Sequence, residues 1–443
     1  MISLVTMLNR RIANDLDARM TEDVTANRHK TVGILSHSVI EKDPRVRKFA
    51  NLLHENGWRV TSVGLSSDED HPALPWEHYA VEPYKYEVKS KRRSLGAMLI
   101  KLGQKDWWET RFQHYAWRML GVRLARNKWD KVFWDMPASY RQMRDVAMEH
   151  VSAAVWIAND WEMLPLATML RDAKGGHVFY DNHEHATQQF SENREWRWFT
   201  KPVVQAIESR FIHEAAAIST VSKGIADALV SLYNLRDIPA VIPNVPYYRA
   251  SLYRPAGAKL RVLYQGVIAQ NRGLEQLIES APYWQDHLSL VIRGPSYLPT
   301  YQADLERRII EFGVEDRCRF AKPVAADQLV TAAQDFDIGV SFLTAQTMQS
   351  QYAMPNKIFE YMMAGLAICV GSNTDMKNEV TESQAGWVFE DLSPEALGRQ
   401  LSNLSVADVN IKKQKALERA KKMCWNKESP KALAICEQLA FRR

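Results

Sequence analysis

The chain has little with which to cross-link itself. Four cysteines are scattered over 443 residues (Cys318, Cys369, Cys424 and Cys436), none in a Cys-x-x-Cys pair and none at a metal-binding spacing. That excludes a disulfide scaffold or a zinc ribbon, and buried reduced thiols in a cytoplasmic protein are expected. No run approaches the roughly 20 apolar residues that span a bilayer. The N-terminus, MISLVTMLNRR, puts its apolar patch before its arginines, the reverse of a secretory signal. Residues 1–29 read as an arm without an assigned function. Charge of one sign is also scarce, at a net +5, so global electrostatics does not call for nucleic acid. The first candidate βα turn, His37 to Arg45, lacks Gly-x-Gly-x-x-Gly, which disfavours a dinucleotide site.

What is present is a regular alternation of strands and helices. TVGILS from Thr31 reads as a strand, PRVRKFANLLHEN as a helix and WRVTSVG as a returning strand, a βαβ opening that predicts a parallel sheet. KVFWDM, AAVWIAND and GHVFYDNHEH continue as strands, with WEMLPLATMLRDA as a helix between the last two. Residues 246–259, with Pro246, Pro255 and Gly257, are the best linker. A second alternating series begins at Leu260 with RVLYQG and runs through LSLVIRGP, RCRFAKPV, FDIGVSFL and GWVFED. The expected organisation is an arm (1–29), a first Rossmann-like domain (30–250), a second (258–424) and a final helix (425–443).

Chemistry concentrates at Gln351 to Gly371. Pro355 suits the first position of a helix, Asn356 to Ala364 are good helix formers, and Gly365 suits a left-handed cap. The entering helix offers backbone N–H groups over residues 353–357 to a phosphate. Lys357 and Glu360, three apart, share a face: one offers a cation, the other a carboxylate for two ribose hydroxyls. A solvated ion pair is the competing reading. In the first half, Asn159-Asp160 and Asp181-Asn182-His183-Glu184 stand at the carboxyl ends of strands, where open parallel sheets bind ligands. Asp43 reads equally as an N-cap or as a ligand contact. His183 has three readings: a site residue, a structural histidine, or half of a zinc pair with His185 that lacks a third ligand.

The string Pro355-x-Lys-x-x-Glu-Tyr-Met-x-Ala-Gly resembles the nucleotide-sugar signature of GT-B glycosyltransferases, above all the large retaining family four. The resemblance spans roughly residues 31–441 and is strongest over 260–390. It implies an α/β GT-B fold, two Rossmann-like domains with parallel sheets facing across a cleft. It gives the donor ribose to Glu360 and the transferred sugar to His183, with Asp181 beside it. Asp43-Pro44-Arg45-Val46 resembles a cleft-lining turn, and Asn159, Asp160 and Glu184 join Asp43 and Arg45 on the acceptor side. The turn from Gly266 carries the diphosphate in relatives. Here Val267 replaces its first cation, and Arg272 stands where a lysine is usual. Lys322 to Val324 resembles the segment whose backbone meets the base. Tyr352 stands where many members have a first glutamate, followed by Ala353, Met354 and Asn356.

The resemblance thus implies transfer of a hexosyl-like unit from a nucleotide-diphosphate sugar to a glycan or lipid-linked acceptor, with retention, in surface glycan or glycolipid synthesis. No cofactor or metal is expected, because the phosphate-facing turns carry Arg272 and Lys357 rather than a carboxylate clamp. A nucleotide-sugar epimerase and a catalytically silent scaffold remain as alternatives. Residues 88–131 hold twelve Lys/Arg against three Asp/Glu, interleaved with Trp107, Trp108, Phe112, Tyr115, Trp117 and Trp129. They read as an interfacial helix docking on an anionic membrane, hence a peripheral position on its inner face. The competing reading is a core-packing helix pair with a solvated basic face.

Overall fold

The computed structural model describes residues 30–69, 71–83, 133–134, 138–344 and 347–442. The expected membrane-docking segment 88–131 and the arm 1–29 lie outside them. The chain divides into two compact units, residues 1–219 with 431–443, and residues 220–430. The second cut falls in the helix Trp425–Ala440, at Pro430 inside it.

The first sheet contains β1 (Thr31–Ser36), β2 (Arg59–Leu65), β3 (Glu77–Val81), β4 (Val155–Asn159), β5 (His177–Asn182), β6 (Ala217–Thr220) and β7 (Ala240–Val241), in the order β3-β2-β1-β4-β5-β6-β7. Pairing from β3 through β5 is parallel. β4 is buried along its whole length, as its unbroken apolar text implies. Gly33 lets Trp156 lie against β1, since a Cβ there would come within 2.7 Å of the indole. The helix Pro44–Glu55 starts where Asp43 accepts from the backbone N–H groups of Arg45 and Val46. One expectation fails in part. Phe133 and Trp134, read within a strand, are helical, with Phe133 buried and stacked on Tyr140 at 4.6 Å; the rest of KVFWDM lies outside the described residues.

The second sheet contains β8 (Leu260–Gln265), β9 (Leu288–Arg293), β10 (Cys318–Ala321), β11 (Ile338–Ser341), β12 (Ala367–Gly371) and β13 (Gly386–Phe389). It is parallel throughout, in the order β10-β9-β8-β11-β12-β13. On one face Val262, Tyr264, Leu290, Ile292, Val340 and Cys369 join the apolar side of flanking helices in one core. All four cysteines are buried free thiols. Strand order reverses between β1 and β4 and again between β8 and β11, the switch points where such sheets bind ligands. Among the described residues no helix is long and apolar enough to cross a membrane.

Candidate functional site

In the second unit, residues of the Asn356–Ala364 helix meet the switch point beside β8. Pro355 is extended and sits at the N-cap rather than inside the helix, and no side chain caps that end. Gly365 closes the helix in the left-handed conformation, as its text suggests. Tyr361 fixes the helix over the sheet. Its hydroxyl accepts from the backbone N–H of Gln265 at 2.7 Å, and its ring covers Gly339, where a Cβ would come within 2.3 Å. Glu360 therefore stands near the end of β8, accepting from Gln265 Nε2 at 3.3 Å.

Lys357 points to the same strand end. Its Nζ lies 3.9 Å from the centre of the Tyr264 ring. Gly266, at φ +144°, leaves it room, since a Cβ would come within 3.1 Å of its Cε and Nζ. Burial pushes the Lys357 ammonium down to about 7, nearby Arg272 repels it further, and Glu360 offsets only part of that. Two cations thus face one turn with little to balance them. The turn is sharp: Asn271 and Gly273 both have positive φ, and Gly273 lies so close to Phe342 that a Cβ would come within 2.7 Å of it.

The remaining donor candidates lie on two segments. Lys322 is exposed and Val324 half-buried in the loop after β10. Tyr352 ends the short helix Met348–Tyr352, followed by Ala353, Met354 and Asn356, all half-buried. The Tyr352 ring lies on Gly224, where a Cβ would fall 2.2 Å from it, and its carbonyl accepts from Ser222 Oγ at 2.7 Å.

In the first unit, four predicted residues form one network, with Arg45 and Asp181 buried and His183 and Asp160 half-buried. Arg45 donates to both oxygens of Asp181, at 2.8 and 2.6 Å. Ser219 Oγ adds a third bond to Asp181 at 2.5 Å, and His183 Nε2 a fourth at 2.9 Å. His183 Nδ1 lies 3.1 Å from Asp160 Oδ2, and its backbone N–H donates to Asp160 Oδ1 at 2.9 Å. Burial alone would neutralise both groups, but the pairings win. Arg45 and His183 hold the Asp181 carboxyl well below the usual range, and Asp160 and Asp181 push His183 up to about 10. His183 is an imidazolium whose two N–H groups are both spoken for, which answers the zinc-pair reading: neither ring nitrogen carries a lone pair. Asp160, at φ 60° and ψ 171°, occupies a region that side chains rarely adopt.

Asp43 is the N-cap of the helix that carries Arg45, and Ser38 Oγ also donates to it. Asn159 is buried, donates to the Leu35 carbonyl at 3.2 Å, and so is tied to β1. Glu184 is half-buried and close enough to Glu162 to act on it.

Residues 259–406 match the family described as "Glycosyl transferases group 1". The matched residues all lie in the second unit. No curated protein matches the chain. Among solved structures, sucrose-phosphate synthase from Thermosynechococcus elongatus aligns at 13% identity and TM-score 0.66 over 93% of this chain and 99% of its own. Anabaena HepE in complex with UDP and glucose gives 13%, 0.64, 93% and 100%; WaaG, a glycosyltransferase of lipopolysaccharide biosynthesis, gives 12%, 0.57, 91% and 99%. The fold is GT-B.

The two clusters also contain residues that the amino-acid text does not single out. Gln265 and Tyr264 lie in a strand text that reads only as apolar, although a glutamine at a strand's carboxyl end was a usable signal. In the first unit Ser219 and Glu162 were missed. Burial pushes Glu162 up to about 8, helped by neighbouring Asp160. Its place, three residues past the end of β4, was the only hint.

Proposed function

We propose that this chain transfers a glycosyl group from a nucleotide-diphosphate sugar to an acceptor hydroxyl, with the second unit holding the donor. The observation that carries the reading is the pair of under-balanced cations: Lys357, at a helix start with no side-chain cap and three residues before Glu360, and Arg272, in the turn after β8. A diphosphate is the ligand such a turn favours: it supplies the opposite charge and accepts from the N–H groups that open the helix. Glu360 then accepts from the ribose hydroxyls, Gly266 keeps the turn open, and Lys322 to Val324 lie along the base. Tyr352, Ala353 and Met354 lead into the phosphate turn.

In the reaction the bond from the anomeric carbon to the diphosphate oxygen breaks and a bond to the acceptor oxygen forms. The departing diphosphate oxygen takes on negative charge as the bond breaks, and the acceptor's proton passes to the diphosphate. Lys357 and Arg272 stabilise that charge as it develops. His183 serves as a fixed cation at the transferred sugar, held by Asp181 and Asp160. It is no proton acceptor, because its pKa lies far above neutrality. Retention of configuration and a hexosyl donor are the finer parts of the proposal, resting on the likeness of the signature to family four. A glycan or a lipid-linked glycan is the proposed acceptor.

The test is UDP and UDP-glucose binding by calorimetry, with donor turnover measured with and without acceptors, for wild type and Glu360→Ala. A folded variant with roughly tenfold weaker UDP binding is expected, the loss of two hydrogen bonds to a charged group. Unchanged UDP affinity and turnover would remove Glu360 from the site. Donor conversion without any acceptor would point to an epimerase instead.

A further inference from the structure

We propose that the second unit has another ligand site, apart from the donor turn, that binds the phosphate of a small phosphorylated polyol. A cavity of about 630 Å3 lies along the edge strand β10. Ser289, Val291 and Arg293 of β9 share its wall with Arg319 and Ala321 of β10, alternate residues that fall on one face of the sheet. No residue assigned to the donor lines it.

Arg293 is its centre. The side chain is 7% exposed, donates to the Ala332 carbonyl at 3.3 Å and to Gln265 Oε1, and lies over the Phe336 ring. Its buried Nε has no partner, and no carboxylate among the described residues reaches it within ion-pair distance. The neighbouring charges are spent elsewhere: Asp335 pairs with Arg254, Asp316 with Arg317, and Arg261 with Asp337. An arginine cannot shed its proton, so a buried one with no carboxylate in contact favours an anion that accepts from its fork. Burial lowers its pKa, and Asp335, beyond ion-pair distance, offsets only part of that. Arg319, exposed on the same wall, offers a second fork.

The volume suits a small molecule better than a bare ion. Glu315 and Ser289 provide acceptors for hydroxyls around the cations. Phosphate on the arginines and hydroxyls on Glu315 and Ser289 describe a phosphorylated polyol. Gln265, which accepts from Arg293, donates to Glu360, so occupancy here bears on the ribose carboxylate. That last link alone rests on the donor reading.

The experiment is calorimetric titration of the full chain with glucose 6-phosphate, inorganic phosphate and glucose, for wild type, Arg293→Met, Arg319→Glu and Lys357→Met. Saturable binding of the ester is expected, tighter than phosphate, with none for glucose. Either arginine variant should weaken it roughly tenfold or more, the loss of a charge-assisted bond, while Lys357→Met leaves it unchanged. Arg319→Glu keeps the test open if Arg293→Met fails to fold. The proposal is overturned by no binding to wild type, by equal affinity for phosphate and ester, or by loss in Lys357→Met with retention in the arginine variants. UDP titration of the same variants tests the donor reading separately.

Discussion

The two units each place a charged cluster at the carboxyl ends of their parallel strands and treat the charge in opposite ways. In the first unit every member is paired: Asp181 accepts four hydrogen bonds, and His183 donates to two carboxylates. In the second, Lys357 and Arg272 repel each other across a glycine-lined turn, and burial lowers the lysine's pKa. A saturated cluster is rigid and holds its members in fixed positions. An unbalanced one is costly when empty and favours an incoming anion. The contrast separates positioning from binding without reference to any relative.

The comparison is most exposed to substitution at Asp181. Asp181→Ala leaves Arg45 buried and His183 short of a partner, and should cost about 3 to 5 kcal/mol. Denaturant unfolding of the variant measures this. A loss under about 1 kcal/mol would mean the network is not a structural anchor.

Lys357→Met should do the reverse. Removing a poorly compensated cation should leave stability within about 1 kcal/mol of wild type, while UDP affinity falls roughly tenfold to a hundredfold. Calorimetry and unfolding on one preparation decide it. A large stability loss with intact affinity would break the distinction between the units.

The smallest effect concerns pH. The folded pKa of His183 is raised to about 10, so its stabilisation is full below the unfolded value near 6.5 and fades as pH rises through 10. That of Lys357 is lowered to about 7, so its cost is full below 7 and is relieved as pH rises toward 10.5. The stability difference between wild type and His183→Gln should therefore shrink between pH 6.5 and 9.5. Lys357→Met, if more stable than wild type at pH 6.5, should lose that advantage over the same range. Parallel trends in the two variants would contradict the opposite signs.

Much of the architecture was legible. β1 coincides with TVGILS, and the second sheet's strands fall where short apolar runs alternate with helical text, because fully buried parallel strands write themselves as unbroken apolar runs. β3 escaped because an edge strand such as EHYAV keeps polar residues among its apolar ones. The signature helix was legible through Pro355 and Gly365, whose backbone constraints act locally.

The chain's own text therefore determined the strand–helix alternation, the helix Asn356–Ala364 with its closing Gly365, and the placing of Lys357 and Glu360 on one face. These depend on neighbours three or four residues away, so they can be read in a line. Tertiary structure alone decided which charges are balanced. Arg45 and Asp181 lie 136 positions apart and Arg293 and Gln265 lie 28 apart, and each pair meets only once strands take their places in a sheet. Burial, which turns a lysine into a group titrating near neutrality, and the paired carboxylates, which hold a histidine as a cation against its own burial, are properties of the assembled surroundings. A sequence names the charged residues, and only the fold assigns each its partner and its dielectric.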